Sequence, residues 1–314
     1  NAVFLAQAVH SGQSLEPLTD LWLDNADVDK LTDADARPLW RFAKLWAQPA
    51  SSWFLRRPGN MVAETVAPEA RAEVRRKVAH FMRGRWFEPP FSGDGFTALL
   101  HNALTAMASE QAEPPLLPPG HPIDLYVTAT DFHGHRERLR LNSPPVVEES
   151  EHRLPIGFRA DTPREAGQPL ADPLDLTLAA RATASFPGAF PPARIAEIDR
   201  IAQQTGTQWR SRSAFLSRIM PAQWQAGTID KLALIDGSVL VNKPFDGALA
   251  ALHGRPAQRE VDRRFVYIDP RPDRNSAVEE AASREVGFFG AIFGSLSTIP
   301  REQPIRDNLH ALEQ

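Results

Sequence analysis

Residues 234–245 read LIDGSVLVNKPF. The apolar run that begins at Leu232 delivers a carboxylate, Asp236, to a Gly237–Ser238 turn at its carboxyl end. Open α/β sheets bind ligands beyond the carboxyl ends of their strands, so an aspartate there is placed to serve as a catalytic base. The same Asp-Gly pair also makes a plain turn, because Asp bonds its own backbone and Gly accepts turn dihedrals. On this stretch alone both readings stay open.

A second block lies upstream, at residues 179–192, AARATASFPGAFPP. Ala179, Ala180, Ala182 and Ala184 keep one face of a helix small enough to approach a sheet closely, and Pro187 with Gly188 stops that helix abruptly. Ser185, beside the stop, reads as a hydroxyl that caps backbone groups in preference to a nucleophile.

Together the two blocks resemble the patatin-like phospholipases, in which an alanine-rich helix and a proline-rich FPP turn precede the DG(G/A) motif of the catalytic aspartate. The resemblance extends through IDLYVTATDFHG at 123–134, NKPF at 242–245, RRFVYIDPRP at 263–272 and STIPREQPI at 297–305. It is greatest to a bacterial branch that carries extra carboxy-terminal sequence. Ser238 departs from the pattern, standing where a second glycine or alanine is frequent.

The resemblance implies an open α/β sheet flanked by helices, with a helical insertion. It implies a lipid acyl hydrolase of the phospholipase A or esterase type, working through a serine–aspartate dyad. Asp236 would accept the serine proton, and Gly237 would turn the backbone without crowding the serine. An exposed carboxylate is a weak base, so this role requires a sheltered strand end. The family's nucleophile sits in G-x-S-x-G on a strand-to-helix turn, followed by a helix similar to NAVFLAQAVHSG at 1–12, which Gly12 would close. The 314 residues contain no such elbow: Gly12-Gln13-Ser14 lacks the closing glycine and Gly294-Ser295 has the wrong spacing. The resemblance therefore implies that the serine, the oxyanion loop and the first strands precede Asn1. The competing reading is a noncatalytic patatin-fold module for interaction or membrane-surface contact, with the Asp-Gly strand kept for architecture.

Composition sets the frame. A chain of 314 residues, 42% hydrophobic and 24% charged, can bury a large core and reads as one α/β domain. Residues 15–112 have a helical pattern and form the expected cap or insertion; residues 123–314 form the sheet-bearing part. Between them Pro114, Pro115, Pro118 and Pro119 make a linker that cannot be helical. Strands are expected at 123–130, 136–142, 153–160, 232–235 and 264–268, and helices over 195–227. A net charge of -4 argues against a nucleic-acid footprint, leaving the basic runs 71–77 and 136–140 as solvated faces. The absence of cysteine excludes disulfides and thiolate chemistry within these 314 residues, is compatible with a reducing compartment, and makes cytoplasm the default expectation.

Other features invite function less strongly. Asp131, His133 and His135 alternate as metal ligands on one strand face would, but Phe132 and Gly134 suggest a turn. His152 and His253 read as surface histidines, and Asn242 as a residue that ties down its own loop. The stretch VGFFGAIFGSLSTI at 286–299 reads as a packed helix, with a dip into a membrane interface as the alternative. It is shorter than the roughly 20 residues of a membrane span. No metal or cofactor is expected. The expected partners are a lipid or other ester substrate and a transient membrane surface; the substrate-binding residues are not legible.

Overall fold

The computed structural model describes residues 2–25, 92–140, 142–143, 145–187, 189–241, 245–255, 257, 260–264 and 266. The chain divides after Gly237 into two compact units. The first is a mixed α/β unit around a three-stranded antiparallel sheet of order β2-β1-β3, where β1 is Pro122–Arg140, β2 is Val146–Asp161 and β3 is Leu234–Asp236. In the second, the described regular element is a helix, Phe245–His253.

Helix α1, Ala2–Ser11, ends as its sequence requires, with the Gly12 N–H bonded to the Ala8 carbonyl at 2.9 Å. Helix α2 is Pro17–Asn25 and α3 is Gly93–Ser109. Ser92 caps α3 by accepting the Gly95 N–H. Helix α4, Pro173–Thr183, has Asp172 as its cap, accepting the Leu174 N–H at 2.9 Å, and Pro173 in its first turn. It is buried nearly all round, from Leu174 to Ala182, as a core helix is. Ala179, Ala180 and Ala182 are wholly buried, and α4 packs on α3, β1 and β3. Helices α5, Ile195–Thr205, α6, Arg212–Ile219, and α7, Pro221–Gln225, lead on to β3. One cluster gathers Leu100 and Met107 of α3, Ile156 of β2, Leu174 and Leu178 of α4, Ile198 of α5, Leu216 of α6 and Leu234 of β3. Each such Leu or Ile contributes about 1.5–3 kcal/mol by leaving water.

The hairpin corrects the expected strand pattern. Segments 123–130 and 136–142 are not separate strands: β1 runs through Phe132 and Gly134 to Arg140, with a register shift between Thr130, opposite Arg153, and His135, opposite Glu151. Gly134 has φ +67 and absorbs the irregularity without a side chain, where a Cβ would lie 2.8 Å from the His152 ring. The expected strand at 232–235 is shorter and later, starting at Leu234 and ending at Asp236. Of the expected strand 264–268, Arg264 and Val266 lie outside regular structure; the rest falls outside the described residues, as do Asn242 and 286–299. No described helix is long and apolar enough to cross a membrane.

Candidate functional site

The two sequence blocks meet at the end of β3. Asp236 pairs with Ala129 across the β1–β3 ladder, Ile235 with Thr130 and Leu234 with Asp131. On the opposite side, Leu234 exchanges both backbone hydrogen bonds with Ala193, at 2.7 and 3.0 Å. The Asp236 N–H donates to the Ser185 carbonyl at 3.0 Å. The Asp236 carbonyl accepts the Thr130 Oγ1 hydroxyl at 3.2 Å. Both main-chain polar groups of Asp236 are thus held, one by each flanking segment, and the residue is half-buried. Gly237 is pressed against β1: a Cβ there would lie 2.2 Å from the Thr128 carbonyl oxygen and 2.3 Å from Thr128 Oγ1. A side chain at 237 is excluded by the backbone of β1, so this position requires glycine.

Ser185 is wholly buried, its hydroxyl donating to the Arg181 carbonyl at 2.6 Å and accepting from Arg181 Nη1. That is a helix-end backbone cap, not an exposed nucleophile. Arg181 itself is wholly buried. Its Nε donates to Glu197 Oε2 at 3.0 Å and Thr97 Oγ1 at 3.2 Å, and its Nη2 to the Pro191 carbonyl at 2.9 Å. Thr97 Oγ1 in turn donates to Glu197 Oε2 at 2.6 Å. The stacked rings of Phe96 and Phe190, centroids 4.2 Å apart, lie 5.6 and 6.0 Å from the guanidinium carbon. Burial lowers the proton affinity of Arg181, and the Glu197 carboxylate counters that shift.

The alternating Asp131, His133 and His135 do not form a ligand trio. Asp131 is buried, with Oδ1 accepting the His133 N–H at 3.1 Å and Oδ2 accepting Gln223 Nε2 at 3.0 Å. The Asp131 carboxylate is therefore occupied in joining β1 to α7. Gln223 Nε2 also lies 3.2 Å from His135 Nδ1, whereas His133 is exposed with its ring edge-on to Phe132. Among the described residues no group of three His, Asp or Glu side chains is arranged for a metal ion. His152 is half-buried, and its Nδ1 donates to the Asp131 carbonyl at 2.8 Å, which corrects its reading as a surface histidine.

Sequence reasoning passed over the Arg181 cage. The available signal was a single cation among the leucines and alanines of LDLTLAARAT, since a charge in a buried helix demands a partner.

No protein-family model matches the chain. The chain is similar to a Mycobacterium tuberculosis protein described as "Uncharacterized membrane protein Rv3479", 27% identical over 146 residues. The match covers 46% of this chain and 12% of that much longer protein. No solved structure matches it.

Proposed function

We propose that Asp236 is the general base of a patatin-type serine–aspartate lipid acyl hydrolase, whose serine is not among these 314 residues. The observation that carries this reading is the Asp236–Gly237 corner, with both backbone groups of the aspartate bonded and the glycine too close to Thr128 for any side chain. A strand end whose backbone is held in this way fixes the point from which its carboxylate projects, which favours proton transfer from an oriented hydroxyl.

The reaction balances without a cofactor. The serine oxygen bonds to the ester carbonyl carbon as its proton passes to the Asp236 carboxylate. The tetrahedral intermediate expels the alcohol, which takes that proton, and leaves an acyl-serine. Water then adds, giving a proton to Asp236; the acyl–oxygen bond breaks, and the serine recovers the proton as the fatty acid leaves.

A noncatalytic membrane-surface module is the second reading, supported by the absence of G-x-S-x-G from the 314 residues. The word "membrane" in the description of the similar mycobacterial protein also favours it. The experiment that decides uses the native reading frame, including whatever precedes Asn1. Fluorophosphonate labelling of one serine, with p-nitrophenyl ester turnover that falls about a hundredfold or more in Asp236→Asn at unchanged circular dichroism, is the expected result. A protein with no labelled serine, or with turnover indifferent to Asp236→Asn, would favour the module.

A further inference from the structure

The acyl-transfer scheme has no use for Arg181, yet this wholly buried cation makes four side-chain hydrogen bonds, to Glu197, Thr97, Ser185 and Pro191. A buried ion pair is a poor stabiliser compared with apolar side chains of the same volume, so its presence in a core of leucine and alanine calls for another reason. The two ends of the guanidinium supply one. Nη1 reaches Ser185 and Nη2 the Pro191 carbonyl, so one rigid planar fork spans both ends of the turn that follows α4. That turn carries the Ser185 carbonyl, the acceptor for the Asp236 N–H, and continues to Ala193, which exchanges both backbone hydrogen bonds with Leu234.

The cage is itself assembled from distant elements. Thr97 comes from α3 and Glu197 from α5, where its Oε1 also accepts the Arg194 N–H at 3.2 Å. Gly93 leaves the space: a Cβ there would meet Pro191 at 2.9 Å and Arg181 Nη2 at 3.0 Å. The connection from three helices to the strand end therefore passes through Arg181 and then Ser185.

We propose that Arg181 is a positioning residue for Asp236, acting through the Ser185 turn to fix the backbone from which the carboxylate projects. The proposal rests on the reading of Asp236 as the base, but its mechanical half is measurable without any turnover.

The test removes both charges, because Arg181→Met alone strands Glu197 as an unpaired buried carboxylate. In Arg181→Met/Glu197→Gln the amide oxygen still accepts the Arg194 N–H, and its N–H can donate to Thr97. Amide hydrogen exchange is read at Asp236 and, as an internal reference, at Phe132, whose N–H bonds the Ala233 carbonyl on the other side of β3 at 2.9 Å. The expected result is exchange at Asp236 about tenfold faster with Phe132 unchanged, a local loss of protection. Equal protection at both amides in the folded double variant would overturn the proposal. Ser185→Ala, which removes the Arg181 Nη1 contact and leaves the carbonyl, is the second variant, expected to loosen Asp236 in the same sense; unchanged protection there counts equally against it. In the native-length protein the double variant is expected to lower kcat about tenfold with KM unchanged, as loss of positioning does. A wild type without ester turnover would remove the catalytic reading while leaving the exchange result to decide the positioning.

Discussion

Asp236 and Ser185, fifty-one residues apart in sequence, are joined main chain to main chain, the Asp236 N–H donating to the Ser185 carbonyl at 3.0 Å. The bond welds the alanine-rich helix and its proline turn to the Asp-Gly strand. It gives the co-occurrence of the two motifs a mechanical meaning, since the first supplies the acceptor that sets the second.

Gly237→Ala is expected to destabilise the fold by about 1–3 kcal/mol, the range for forced overpacking. Its Cβ would meet the Thr128 backbone, which cannot swing aside as a flexible side chain would. Gly206→Ala is the comparison: it carries the strain of φ +66 but meets nothing within 4 Å. Urea midpoints of the two variants measure the difference; a Gly237→Ala midpoint equal to wild type would contradict the close approach to β1.

Asp175 introduces a pH dependence. Burial pushes its carboxyl up to about 6 from an ordinary 3.8, against hydrogen bonds from Trp209 Nε1 and Ser211 Oγ that favour the charged form. Between those two values the folded protein holds more protons than the unfolded chain, so the contribution of this group falls as pH rises through the window and levels off above it. A shift of this size corresponds to no more than about 3 kcal/mol. Asp175→Asn keeps the acceptor for Trp209 and Ser211 and removes the charge. It is expected to match or exceed wild type at pH 7 and to flatten the pH 4–6 slope, measured by urea unfolding at each pH. A variant less stable than wild type at pH 7 would show that the charged form is the favoured one.

His101 acts in the opposite sense. Burial lowers its affinity for a proton from the ordinary 6.5, outweighing the attraction of Asp172. Thr177 spends its hydroxyl proton on the Pro173 carbonyl, so His101 Nδ1 donates to Thr177 Oγ1 across 3.4 Å. As pH falls below 6.5 the unfolded chain takes up the proton first and stability is lost. His101→Gln is expected to lose less stability than wild type between pH 7 and pH 5, in the same unfolding series. An unchanged difference would exclude His101 from the acid response.

Gln223→Met tests the link between β1 and α7. It removes the donor to Asp131 Oδ2 and leaves that buried carboxylate with fewer partners. The expected cost is about 1–3 kcal/mol, read from thermal or urea unfolding. A neutral effect would mean that Asp131 finds another donor.

Local chemistry carried much of this in the sequence itself. Gly12 ends α1, no helix runs through the proline-rich segment after α3, and the alanines of α4 are buried as small residues on a close-packed helix are. Asp236 and Gly237 could be singled out because a strand ending in Asp-Gly is a pattern of neighbours. The pattern could not reveal what holds that corner. Thr128 and Thr130 lie more than a hundred residues away, and their nearness to Gly237 and to the Asp236 carbonyl exists only once β1 and β3 pair.

Tertiary structure also decided between turn and strand at Phe132–Gly134. Glycine permits both, and the long pairing with β2 on either side carries the strand through. The alternation of Asp131, His133 and His135 suggested one face; the register shift and the demand of a buried carboxylate for donors dispersed them. Arg181 is the clearest division between the two levels. Its sequence shows a cation among alanines and leucines, whereas its partners come from α3, α5 and the proline turn. Periodicity is a property of neighbours along the chain and determines which faces are apolar; the partner of a buried charge depends on which distant segments pack around it, and only the folded chain decides that.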